Sequence, residues 1–271
     1  MNVPNVLLWL LIIFMPCVGY GQDLSFIKKV EITQPVSVSI DRYNHIFTSD
    51  QQGNVYKYDS TANILQVYSS QKVAGVPMIE AWPTIQIFIF YRDLQRFTFL
   101  NRFLTEPQQS AGFDPGKIGF GRAATIASDD QLWIFDESDF SLKKLNPVTQ
   151  QLSLHVPLGL ILTAANYNIN HMREYQNLLF VNDINSGILI FDNFGNYKKK
   201  LPFTEVRYFS FYGNELYVID KNTLHFFDLY TLSRRSIALP AGINFDYALV
   251  FDTQIVLFSK NKIYIYQHKI K

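Results

Sequence analysis

The sequence predicts an all-β chain made of six copies of one unit, each a small sheet of four antiparallel strands. Three observations carry this. A hairpin of two short strands joined by a polar turn recurs six times. The first apolar residues of the copies are Ile46, Ile87, Leu132, Leu178, Leu216 and Ile255, spaced 38 to 46 residues apart. Helical periodicity is absent, and a composition of 48% hydrophobic residues with 23 Phe and 16 Tyr favours strands.

Unit one runs through residues 36–40, HIFTSDQQGNVYKYDST and a closing run at 65–68. Unit two holds QIFIFYRDLQRFTFLNR and shows no clear fourth strand, so 105–117 (TEPQQSAGFDPGK) reads as a long loop between units. Unit three comprises 123–127, QLWIFDESDFSLKKLNP and 152–156. In unit four, NLLFVNDINSGILIFDNFG is followed by 197–203, and the preceding stretch 166–177 is the least strand-like part of the chain. Unit five has 206–212, ELYVIDKNTLHFFDLYT with the cleanest alternation, and 236–239. Unit six has 248–251 and QIVLFSKNKIYIYQHK, after which the chain ends without a fourth strand. The orphan strand FIKKVEIT at 26–33 fills that gap, closing a ring and covering an open sheet edge. Asp59, Asn101, Asn146, Asp192 and Asp228 end second strands as turn punctuation.

Four strands per ~40 residues is the signature of a β-propeller blade. At a mean spacing of about 42, residues 22–271 hold six units and form one six-bladed β-propeller domain. The basic runs Lys28-Lys29, 198–200 and Arg234-Arg235 fall on or just before outermost strands, where charge discourages edge-to-edge association. A net charge of +1 gives no footprint for nucleic acid.

Residues 1–21 carry no charged side chain, and 6–18 is apolar apart from Pro16. That run is shorter than the ~17–25 residues of a membrane span. It reads as a signal peptide cleaved after Gly21, leaving no membrane span and an exported protein, periplasmic or extracellular. An uncleaved anchor is the alternative, since no Lys or Arg precedes the apolar run. The only cysteine, Cys17, lies in this segment, and Pro16 before it is unlike a lipidation site.

The stretch SIDRYNHIFTSDQQGNVYKYDS resembles the repeat of six-bladed propellers of the NHL-repeat and TolB-like kind, and the likeness extends over 24–271. The WD-repeat signature is missing: no Asp follows Trp133. The Gly-Gln at the end of the signal is similar to exported proteins of the Bacteroidota. The resemblance implies a working face at the loops leading into the inner strands.

Counting back about nine residues from each hairpin brings Ser37, Met78 to Glu80, Arg122, Asn168 to Asn170, Arg207 and Asp246 to one level. Glu80, Trp82, Arg122, Asn168, Asn170, Arg207 and Asp246 are therefore the candidate binding residues at the channel mouth. Trp82 reads either as an aromatic anchor for a partner or as packing between blades one and two. The expected function is a non-enzymatic scaffold, a monomer that binds a protein, peptide or glycan. The alternative, implied by resemblance to gluconolactonase-type propellers, is a Ca²⁺-dependent hydrolase using Glu80, Asn168 or Asn170, and Asp246. Arg122 and Arg207 at the same mouth oppose a cation, so no cofactor, metal or catalytic residue is assigned.

Other motifs carry no chemistry. The five histidines lack metal-pair spacing, and DESD (136–139) and DINSG (183–187) lack the spacing of a Ca²⁺ loop. GFGRAA (119–124) leads into a strand rather than the helix that would hold a phosphate.

Overall fold

The computed structural model describes residues 24–69, 75–105 and 107–268. The signal call at 1–21 lies outside the described residues. Six antiparallel sheets of four strands each form the blades of a propeller. The inner strands are Ser37–Ile40, Pro77–Glu80, Gly121–Ile126, Ile169–Tyr175, Phe209–Tyr212 and Tyr247–Val250. Among the described residues the one helical element is a 3₁₀ turn, Arg92–Leu94, and no helix is long and apolar enough to cross a membrane.

The ring closes as the sequence implies. Leu24–Glu31 is the outermost strand of blade six, paired antiparallel with Lys262–His268 from Leu24 opposite His268 to Glu31 opposite Lys262. The basic runs also fall where expected, on the outer strands Leu24–Glu31, Tyr197–Leu201 and Arg234–Ala238.

Blade two differs from expectation. It has a fourth strand, Pro107–Gly112, inside the segment that reads as a loop. Pro-Gln-Gln-Ser-Ala-Gly has no apolar alternation because an outermost strand needs only one backbone neighbour, here Arg96–Asn101. In blade four the stretch INHMREY is an inner strand; Ile169 and Met172 join the cluster between blades three and four, Glu174 accepts from Trp133 of blade three, and Arg173 donates to Ser210 of blade five.

Six apolar clusters lie one between each pair of neighbouring blades. Alternate residues of a strand supply opposite clusters. In Leu132–Asp136, Leu132 and Ile134 pack toward blade two, and Trp133 and Phe135 toward blade four. In Gln254–Ser259, Ile255 and Leu257 face blade five, and Val256 and Phe258 face blade one. Burial on both faces explains why these strands read as continuous apolar runs.

The turns follow one chemistry. Asp41, Asp50 and Asp59 recur every nine residues in blade one, each accepting two backbone N–H bonds from residues two and four further on. The intervening Asn44, Gly53 and Ala62 take positive φ. Asp192 and Asp228 accept backbone N–H bonds in the same way, as do Asn101 and Asn146.

Candidate binding site at the channel mouth

Each inner strand has an inlet end, where the chain arrives from the previous blade, and an outlet end, where it turns into the next strand. Arg122 is the second residue of its inner strand, Asn170 lies early in blade four's, Asn168 and Asp246 immediately precede theirs, and Arg207 stands two residues before blade five's. These five stand at the inlet end. Glu80 is the last residue of blade two's inner strand and Trp82 lies in the hairpin beyond it. Both stand at the outlet end, so the expected single level divides between two faces.

At the inlet end the polar side chains tie blades together. Arg122 donates through Nε to the Ile169 carbonyl (2.8 Å), through Nη1 to Glu137 (3.0 Å) and through Nη2 to Asn168 (3.1 Å). Asn170 donates to the Arg207 carbonyl (2.6 Å) and accepts from Asn182 (2.7 Å). Arg207 and Asp246 share a small cleft of about 170 Å³ with Glu205 and Lys221. The same stapling continues round the ring. Ser39 accepts from the Ala81 N–H (2.9 Å), Thr125 donates to Glu80 (3.0 Å), Tyr212 donates to Asp252 (3.2 Å), and Tyr247 donates to the Val36 carbonyl (3.0 Å).

The larger opening, about 440 Å³, is at the outlet end, across blades one to four. Arg42 and Trp82 come from the first hairpins of blades one and two, and Arg173 and Tyr175 from the end of blade four's inner strand. Trp82 is half-buried and packs on the cluster between blades two and three, not blades one and two. Arg173 is only 7% exposed. Its Nη1 donates to the Ser210 hydroxyl (2.6 Å), and its guanidinium lies 5.8 Å from the Trp82 ring, 5.9 Å from Tyr175 and 5.4 Å from Phe211.

Beneath this opening Glu80 is buried and accepts from Thr125, from the Ile126 N–H and from the Trp82 indole at 3.3 Å. Burial raises its carboxyl to about 7, against the opposing pull of the Thr125 bond and the Arg173 charge. His171 is pushed down to about 3 by burial and then by Arg173, and its ring packs on Tyr208 and Phe209.

Glu80, Asn168 and Asp246 do not fit a shared Ca²⁺ site. Glu80 stands at the opposite end of the channel, and Asn168 accepts a bond from Arg122. Among the described residues no group of three or more His, Cys, Asp or Glu is placed to hold a metal.

Arg42, Arg173 and Tyr175 escape sequence reasoning. The available signal is a charged residue, Arg173, deep in an inner strand where the other blades place apolar or small residues.

The fold and its mouth define a six-bladed β-propeller with an aromatic and basic cleft at the outlet end of the channel. No family model matches the chain, and no curated protein matches it. Solved structures are similar in fold. A catalytically inactive virginiamycin B lyase from Staphylococcus aureus with quinupristin superposes with a TM-score of 0.59 at 11% identity, covering 85% of this chain and 79% of that one. BamB from Moraxella catarrhalis gives 0.54 at 11% identity over 90% and 99%. A streptogramin B lyase gives 0.58 at 11% identity over 92% and 87%.

Proposed function

We propose that the chain is an exported, non-enzymatic propeller that works as a scaffold, binding a protein, peptide or glycan at the mouth of its channel. The observation that carries this reading is the outlet cleft, where Trp82, Tyr175 and Arg42 stand on the rim of a ring stapled at every blade boundary. Half-buried aromatic side chains beside an exposed arginine on a rigid frame are common anchors of recognition surfaces. At the inlet, by contrast, Arg122, Asn168 and Asn170 spend their polar groups on neighbouring blades.

The test is affinity capture from an envelope extract with three proteins: the unaltered chain, the outlet double variant Arg42→Ala/Trp82→Ala, and the inlet double variant Arg207→Ala/Asp246→Ala. A partner lost only from the outlet variant supports this placement. Loss only from the inlet variant moves the site to the other face. Retention by both removes the channel mouth as the binding site. Export has its own check: the mature protein is expected to begin at Gln22, and recovery of the intact N-terminus in membranes would identify a retained anchor instead.

A further inference from the structure

The outlet cleft holds a positive charge with no carboxylate in ion-pair contact; Glu80, buried beneath the cleft, feels the Arg173 charge only at longer range. Four charged side chains line it: Asp41, Arg42, Arg173 and Glu174. Both acids are turned into the wall. Asp41 accepts from the Tyr43 and His45 N–H groups and from the His45 ring, and Glu174 accepts from the Ser128 N–H (2.8 Å) and the Trp133 indole (2.7 Å). Among the described residues no carboxylate comes within ion-pair distance of Arg173 or Arg42. Arg173 is more than nine-tenths buried, and its Nε has no hydrogen-bond partner.

A buried guanidinium with an unmet donor is costly. Here three aromatic faces and the Ser210 hydroxyl hold it in place. An oxyanion entering the cleft meets the guanidinium charge at its floor, and a planar carboxylate matches the guanidinium fork. The walls add a second requirement. Trp82 and Tyr175 offer ring faces, and about 440 Å³ suits a ligand of small-molecule size or one residue of a chain.

We propose that the outlet cleft binds a carboxylate attached to a ring, with Arg173 as the counter-ion at its floor and Arg42 at its rim. This rests on the reading of the cleft as the binding site. The ring is an aromatic acid or an acidic sugar, and two pairs of probes separate them: indole-3-acetate against indole-3-acetamide, and glucuronate against glucose.

Titration calorimetry at pH 7.5 reads the affinities. At least one acid is expected to bind ten-fold or more tightly than its neutral partner. Arg173→Gln should lower that affinity at least ten-fold and leave the neutral probe unchanged. Arg42→Ala, an exposed position, should lower it about three-fold or more. The comparison of acid with neutral probe in the unaltered protein, together with Arg42→Ala, stands even where Arg173→Gln folds poorly. No saturable binding of either acid, equal binding of acid and neutral probe, or acid binding that survives both arginine variants overturns the proposal. Neutral probes that bind and are lost with Trp82→Ala would leave the cleft a binding site and remove only its carboxylate preference.

Discussion

Glu80 is enclosed between blades two and three, and its carboxyl titrates near 7 in the folded chain against 4.5 ordinarily. The folded state therefore holds the Glu80 proton more tightly than the unfolded state. Its contribution to stability is full below pH 4.5 and is lost as the pH rises through 7. Glu80→Gln should stabilise the protein at pH 8 by on the order of 2 kcal/mol and change little at pH 4.5. Denaturant unfolding at both values reads this, and an equal effect at both would count against it. His171 acts in the opposite sense. Its folded value of about 3 lies below the ordinary 6.5, so its contribution is present above 6.5 and lost as the pH falls toward 3. Between 4.5 and 6.5 the two slopes oppose each other. In Glu80→Gln the acid-side loss caused by His171 should stand uncancelled, giving a steeper fall of stability below pH 6.5 than in the unaltered chain. A backbone constraint acts at the same scale. Gly187 opens a strand at φ +114, and a Cβ there would fall on the Leu201 carbonyl oxygen of the paired strand. Gly187→Ala should cost about 2–4 kcal/mol in denaturant unfolding; a loss below half a kcal/mol would mean that the outer strand simply moves aside.

At the scale of the element, closure of the ring depends on one strand. Leu24–Glu31 covers the edge of Lys262–His268, and Leu24 and Tyr266 join the cluster between blades five and six. A chain beginning at residue 33 should leave that edge unpaired, lower the melting temperature by ten degrees or more and speed amide exchange first in blade six. Uniform loss of protection across all blades would assign the strand a global role instead. This strand was legible because unit six lacked a fourth strand and an unclaimed strand stood at the other end of the chain. Pro107–Gly112 was not legible, since an outer strand is selected by its neighbour's backbone and leaves no apolar rhythm to read. The aspartates that end strands were legible as turns. Their hydrogen bonds add a consequence: burial pushes the Asp50 carboxyl up, but bonds from Asn54, Tyr56 and Gln52 hold it below the usual carboxylate range. That contribution is present above the unfolded value near 3.8 and lost as the pH falls through the lower folded value.

For the whole molecule, the sequence shows where inner strands begin but not which end of the channel each side chain serves. Counting back from the hairpins places Arg122, Asn168, Arg207 and Asp246 correctly at the inlet. In blade two the same count runs the length of a four-residue strand and reaches Glu80 at the outlet. Arg42 and Arg173 meet Trp82 only once the ring is closed, because they come from three blades. What organises the molecule is the alternation that gives each strand two interfaces, and this alternation makes a prediction about coupling. Ile134 and Phe135 are neighbours in sequence, yet Ile134 packs between blades two and three and Phe135 between blades three and four. Phe135 touches Tyr167, on the loop leading to blade four, with ring centroids 5.6 Å apart. Each alanine substitution should cost about 2–5 kcal/mol. Costs of Ile134→Ala and Phe135→Ala should add to within about 0.5 kcal/mol, although the residues are covalently adjacent, because their side chains pack in different clusters between blades. Those of Phe135→Ala and Tyr167→Ala should fall short of their sum, because either one already breaks the ring contact. Double-mutant cycles by denaturant unfolding measure both pairs. Strong coupling in the first pair and none in the second would mean that stability follows the chain rather than the boundaries between blades.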